Sequence, residues 1–96
     1  MQFDFTKVEM LNLATEKNEE NMHKFLAQKI YTLTKNLDLV DVALRINKGE
    51  IVTLEKVEIE EVKRIISDDA AGLFACAKKA YLNYIESVVK QNQESK

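Results

Sequence analysis

The chain has 96 residues and a mass of 11.1 kDa, enough for one domain and too few for two with separate cores. Apolar residues make up 46% and charged residues 31%, the mixture of a folded chain and not of a disordered one. With 14 basic and 16 acidic residues the net charge is −2, which lacks the basic excess of most nucleic-acid binders, and no apolar run approaches the roughly 18 residues of a membrane span.

The chain contains no proline and only two glycines, Gly49 and Gly72. Sandwiches and barrels consume such residues in tight turns, whereas a helical bundle needs few of them. The expected fold class is therefore all-α, a single-domain bundle of about five helices. In chain order, Phe3 and Phe5 alternate with Gln2 and Asp4 as an extended arm. Thr6 and Glu9 have capping-box spacing, which predicts a short helix over Lys7 to Leu13 with Val8, Leu11 and Leu13 inward. Thr15 or Asn18 can cap a second helix, whose positions Met22, Phe25, Leu26, Ile30 and Leu33 recur at steps of three and four. Glu16, Glu19 and Glu20 fall in its first turns and Lys35 near its end, as the helix dipole favours.

Asp38 is the expected cap of a third helix to about Asn47, with Leu39, Val40, Ala43, Leu44 and Ile46 on a broad apolar face and Gly49 as its stop. The same stretch has a β alternative. Val42, Leu44 and Ile46 alternate, as do Ile51, Thr53 and Glu55, around Asn47-Lys48-Gly49-Glu50. An α+β fold with a hairpin near residues 42–54 is therefore the competing reading. A fourth helix spans Glu55 to Ser67, with Val57, Ile59, Val62, Ile65 and Ile66 inward and Glu58, Glu60, Glu61, Lys63 and Arg64 outward. Ser67-Asp68-Asp69 closes it and caps a fifth, Asp69 to Gln91, striped by Leu73, Phe74, Ala77, Tyr81, Tyr84, Ile85 and Val88. The small residues Ala70, Ala71, Gly72, Ala75, Ala77 and Ala80 mark that helix as the expected centre of the bundle. Gln91 to Lys96 reads as a polar, frayed tail.

Motifs for chemistry are sparse. His23 and Cys76 are too few for a structural zinc site, and Asp68-Asp69 reads as a helix cap before it reads as a cation site. Neither GxxxxGK[ST] nor GxGxxG is present. Cys76 falls mid-helix beside Leu73 and Ala80, which predicts a small buried apolar residue and not an activated thiol. His23 reads as a partly exposed helical residue. A lone cysteine forms no internal disulfide, and the opening residues carry no basic segment followed by an apolar stretch, so no secretory signal is expected. No catalytic residue, cofactor or metal is assigned, and the chain reads as a non-enzyme without a membrane segment.

Two binding classes remain. Protein binding would use the aromatic residues best suited to anchor an interface, Phe3, Phe5, Tyr31, Tyr81 and Tyr84, although each can equally pack the core. A thin core in so short a chain also favours a homodimer. Nucleic-acid regulation would use Lys63, Arg64, Lys78 and Lys79, with the fourth and fifth helices as a helix-turn-helix. The fifth helix, however, opens Asp-Asp-Ala-Ala-Gly-Leu-Phe, an acidic and apolar start that repels phosphate.

The opening Phe-Asp-Phe-Thr-Lys-Val (Phe3 to Val8) resembles small uncharacterised proteins encoded by bacteriophages and prophages. So does Leu-Val-Asp-Val-Ala-Leu-Arg-Ile-Asn-Lys-Gly-Glu (Leu39 to Glu50), followed by Val52, Leu54 and the Glu-rich helix to Ile66. The likeness extends from Phe3 to about Glu86 and lies in layout and apolar pattern. It transfers no functional residue. It implies a setting in the bacterial cytoplasm and a product of a mobile element that binds a host protein or assists assembly.

Overall fold

The computed structural model describes residues 1–94. Four α-helices carry most of these residues: α1 (Met22–Leu33), α2 (Leu37–Asn47), α3 (Lys56–Ser67) and α4 (Ala75–Glu94). Four strands of two residues each accompany them. β1 (Gln2–Phe3) pairs antiparallel with β4 (Val52–Thr53), and β2 (Leu11–Asn12) with β3 (Lys17–Asn18). The chain is thus helix-rich, with four helices and two small ribbons in place of a five-helix all-α bundle.

The first correction is at the N-terminus. Residues 7–13 form no helix. A 3₁₀ turn occupies Phe5–Lys7, and β2 follows. The competitor to the Thr6–Glu9 capping box is Asp4, whose carboxylate accepts from the Thr6 N–H at 3.1 Å and from the Thr6 hydroxyl. Such local side-chain bonds offer the backbone an alternative to a helix. Val8 is buried as expected, while Leu11 and Leu13 are exposed on the β2–β3 hairpin. Thr15, Glu16 and Asn18 belong to that hairpin, so none of them caps α1 or lies in its first turn. The residue at the N-cap is Asn21, in the left-handed region at φ 61°.

The helix reading of the segment after Asn36 holds to Asn47, with Asn36 in place of Asp38 as the cap: its Oδ1 accepts from the Asp38 N–H at 2.9 Å. The helix ends in a Schellman motif. Glu50 N–H donates to the Arg45 carbonyl at 3.1 Å and Gly49 N–H to that of Ile46 at 2.9 Å, with Gly49 at φ 80°. No hairpin forms over residues 42–54. The strand-like stretch after Gly49 pairs instead with β1, in the register Gln2–Thr53 and Phe3–Val52.

At α3 the Glu58 side chain accepts from the Glu55 N–H at 2.9 Å, one half of a capping box. Val57, expected inward, is exposed. The acidic pair then caps a turn and not a helix. Asp68 accepts from Ala70 N–H at 2.9 Å and holds a 3₁₀ turn over Asp69–Ala71, which Gly72 ends at φ 66°. The last helix therefore starts at Ala75, leaving Leu73 and Phe74 in the linker, and it runs past Gln91 to Glu94. Residues 95 and 96 of the expected tail lie outside the described residues.

All four helices, β1, β4 and the opening segment contribute to one core. The most extensive helix contact is α1 on α2. Helix α1 also meets α3, while α4 packs on α3 and β1, so α1 takes much of the central position expected of the last helix. Phe3 and Phe5 stack at 5.6 Å between ring centroids, and Tyr84 of α4 meets them at 6.3 and 5.5 Å. The Asp4 N–H donates to the Tyr84 hydroxyl at 2.7 Å, so the arm is pinned to a residue 80 positions away. The radius of gyration, 12.9 Å, is that of one compact domain of this length. Among the described residues no helix is long and apolar enough to cross a membrane.

Candidate functional site

Of the five aromatic residues proposed as anchors, Phe3, Phe5 and Tyr81 are buried inside the chain and present no surface to a partner. Tyr84 is half-buried, and only Tyr31 is exposed, at 51%. Tyr81 closes the core between α4 and α1, its hydroxyl donating to the Met22 carbonyl at 2.6 Å. Burial pushes its pKa up to about 12, and burial likewise raises that of Tyr84.

The four cations of the nucleic-acid reading are largely engaged. Lys63 pairs with Glu86 at 2.8 Å, Arg64 with Glu61 and with Asp68 at 3.6 Å, and Lys78 with Asp69 at 3.6 Å. Lys79 is exposed. Cys76 is exposed too, contrary to expectation, because it sits one residue off the inward stripe Ala77–Tyr81–Ile85. His23 is half-buried, with Nε2 3.9 Å from where a Cβ on Gly49 would lie. Among the described residues no group of three or more His, Cys, Asp or Glu is placed to hold a metal ion.

Two residues read as core are instead the most conspicuous surface groups near a concavity. Phe25 is 58% and Phe74 is 79% exposed. Together they line an apolar groove of about 350 Å³ between α1, the linker at Gly72–Phe74 and the start of α4. Met22, Ala77 and Tyr81 are its buried members, Met10 and Leu73 its half-buried ones, and Glu19 and Lys29 its charged ones. The volume is within the range of binding clefts, and the two thioethers can repack around differently shaped apolar groups.

No family model, curated protein or solved structure matches this chain.

A second, shallower groove of about 140 Å³ lies on the other side of α1, against α2, where Ala27, Gln28, Tyr31, Ala43, Leu44 and Asn47 line it. Helix α1 is thus a ridge between two concavities, with Phe25 on one flank and Tyr31 on the other. At 3.6 residues per turn both fall at the borders of the buried arc formed by Met22, Leu26, Ala27 and Ile30. Lys24, Gln28 and Thr32 lie between them on the outward face, all exposed. Sequence reasoning missed Phe25 and Phe74. A usable signal existed for Phe25, since an apolar arc running from it through Met22 to Ala27 is wider than one helix–helix contact can cover.

Proposed function

We propose that the protein is a small non-enzymatic interaction module that binds a protein surface through the groove walled by Phe25 and Phe74. The observation that carries this reading is the pair of exposed phenylalanines beside an apolar concavity. Each would contribute up to roughly 2 kcal/mol if a partner covered it, and aromatic anchors beside a pocket are where interface energy concentrates. The ion pairs on Lys63, Arg64 and Lys78 weigh against the nucleic-acid alternative, which would have to break them to reach a phosphate. The likeness of Phe3 to Val8 and Leu39 to Glu50 to phage and prophage proteins supports a partner in the bacterial cytoplasm.

The test compares the wild-type chain with the F25A/F74A variant as baits in nuclease-treated bacterial lysate. Bound proteins should be lost from the variant while it remains folded. The same proteins captured by both baits would show that the groove is not the binding surface.

A further inference from the structure

The groove carries one anion and one cation, Glu19 and Lys29, and they are separated along α1. Glu19 precedes the helix, and Lys29 follows Phe25 by four residues, about 6 Å or one turn. Phe25 also borders a second concavity that holds Glu19 and Glu20, with Lys17 as its one cation. Charge on this flank therefore changes sign across Phe25, acidic towards the start of α1 and basic one turn beyond. Lys24, on the outward ridge, lines neither concavity. Glu20 is exposed and Lys29 half-buried, and neither takes part in an ion pair among the described residues.

A surface of this kind is complementary to its own image. In a two-fold pair the same patch meets itself and every contact occurs twice. With Phe25 near the axis and the two α1 helices antiparallel, Lys29 of each copy lies at the acidic end of the other. The apolar groups obey the same symmetry, since each copy carries both a projecting ring, Phe74 at 79% exposure, and the groove beside it. A partner segment of one sign gains little, because what attracts it at one end repels it at the other. We propose that the occupant of the groove is a second copy of this chain, paired antiparallel about Phe25, with Phe74 of each copy in the groove of the other and Glu20 facing Lys29. This step rests on the reading of the groove as a protein-binding surface.

The test is sedimentation equilibrium of the wild-type chain and its variants from about 1 μM to 1 mM, the range of a small interface with few anchors. The wild type should reach twice the monomer mass, and F25A/F74A should stay monomeric. E20K and K29E should each raise the dissociation constant about tenfold or more, since either change sets like charges together at two places. An equimolar mixture of E20K and K29E should dimerise again, because in the mixed pair each reversed charge meets an opposite one. Circular dichroism confirms that each variant is folded before it is mixed. A wild type still monomeric at about 1 mM would overturn the proposal, as would a dimer that F25A/F74A retains. A dimer indifferent to both charge reversals, or a mixture that stays monomeric, would overturn the antiparallel arrangement. The fate of the groove itself is read separately, in the lysate comparison above. Proteins captured by a monomeric wild type and lost on F25A/F74A would leave the groove standing and assign it to a different protein.

Discussion

Tyr81 carries the most chemical information of any single side chain. Its ring is fully buried and its hydroxyl spans from α4 to the first residue of α1. Burial raises its pKa from 10.0 to about 12, so the folded state holds the phenolic proton more tightly than the unfolded chain does. A raised folded-state pKa contributes stability that is fully present below the unfolded value and is lost as pH rises through the folded one. The wild-type protein should therefore lose of order 2 kcal/mol between about pH 10 and pH 12 from this group. Tyr81→Phe removes the titration and one hydrogen bond worth about 1 kcal/mol. The variant should be the less stable protein at pH 7, and the gap should close and then reverse as pH rises through this window. Urea titrations of both proteins at matched pH values give the two curves, and parallel curves would show that the hydroxyl does not titrate against folding. Every other side chain is common to the two proteins, so the difference isolates Tyr81. The position of Tyr81 on the stripe of the last helix was legible in the sequence. Its hydrogen bond to Met22 was not, because the two residues are 59 apart and no local spacing relates them.

Elements are decided by backbone conformation as much as by apolar pattern. Gly49 at φ 80° ends α2, and a Cβ there would meet the Thr6 methyl at 3.5 Å and His23 Nε2 at 3.9 Å, both ordinary contacts. The cost of Gly49→Ala is therefore one of conformation and not of space, about 1–2 kcal/mol for an L-residue held left-handed, and it should show as a lower urea midpoint. The reverse change has the opposite sign. Glu16 is held at φ 58° in the turn between β2 and β3, so Glu16→Gly should raise stability by a few tenths to about 1 kcal/mol. Four helices were legible because each carries apolar residues at steps of three and four beside a cap or stop. Two ribbons were not, each for a definable reason. The β2–β3 turn uses Glu16 where the usual signal is glycine or asparagine. Strand β4 finds its partner in Gln2–Phe3, some fifty residues back, so reading Thr53 as strand-like was sound, while Ile51 falls just outside the strand and the partner assigned to the segment was wrong. The start of α4 was placed too early because Asp68 caps whatever begins at Asp69, and Gly72 then limits it to a single turn.

At the scale of the whole molecule, the opening segment is part of the core and the groove is not. Phe3 and Phe5 have almost no exposure, stack on one another and hold Tyr84 of α4, while β1 joins the segment to β4. Truncating either ring leaves a cavity that the other ring and Tyr84 can only partly fill. Phe3→Ala and Phe5→Ala should each cost about 3–5 kcal/mol, a large share of the roughly 5–15 kcal/mol available to a domain of this kind. The double variant should fall short of the sum, because the two rings are each other's neighbours. The exposed walls of the groove behave differently: F74A removes a side chain mostly in water and should change stability by about 0.5 kcal/mol or less, and F25A, whose ring is 58% exposed, by about 1 kcal/mol. Hydrogen exchange separates the two classes more sharply than a midpoint does. In Phe3→Ala, protection should fall together in α1, α3 and α4, since one core serves all of them. In F25A/F74A it should fall far less in those helices. If Phe3→Ala lowered protection only in β1 and β4, the opening segment would be an appendage to a helical core. The aromatic cluster on Tyr84 would then be a surface clasp, and the helices would owe their packing to α1 and α2 alone.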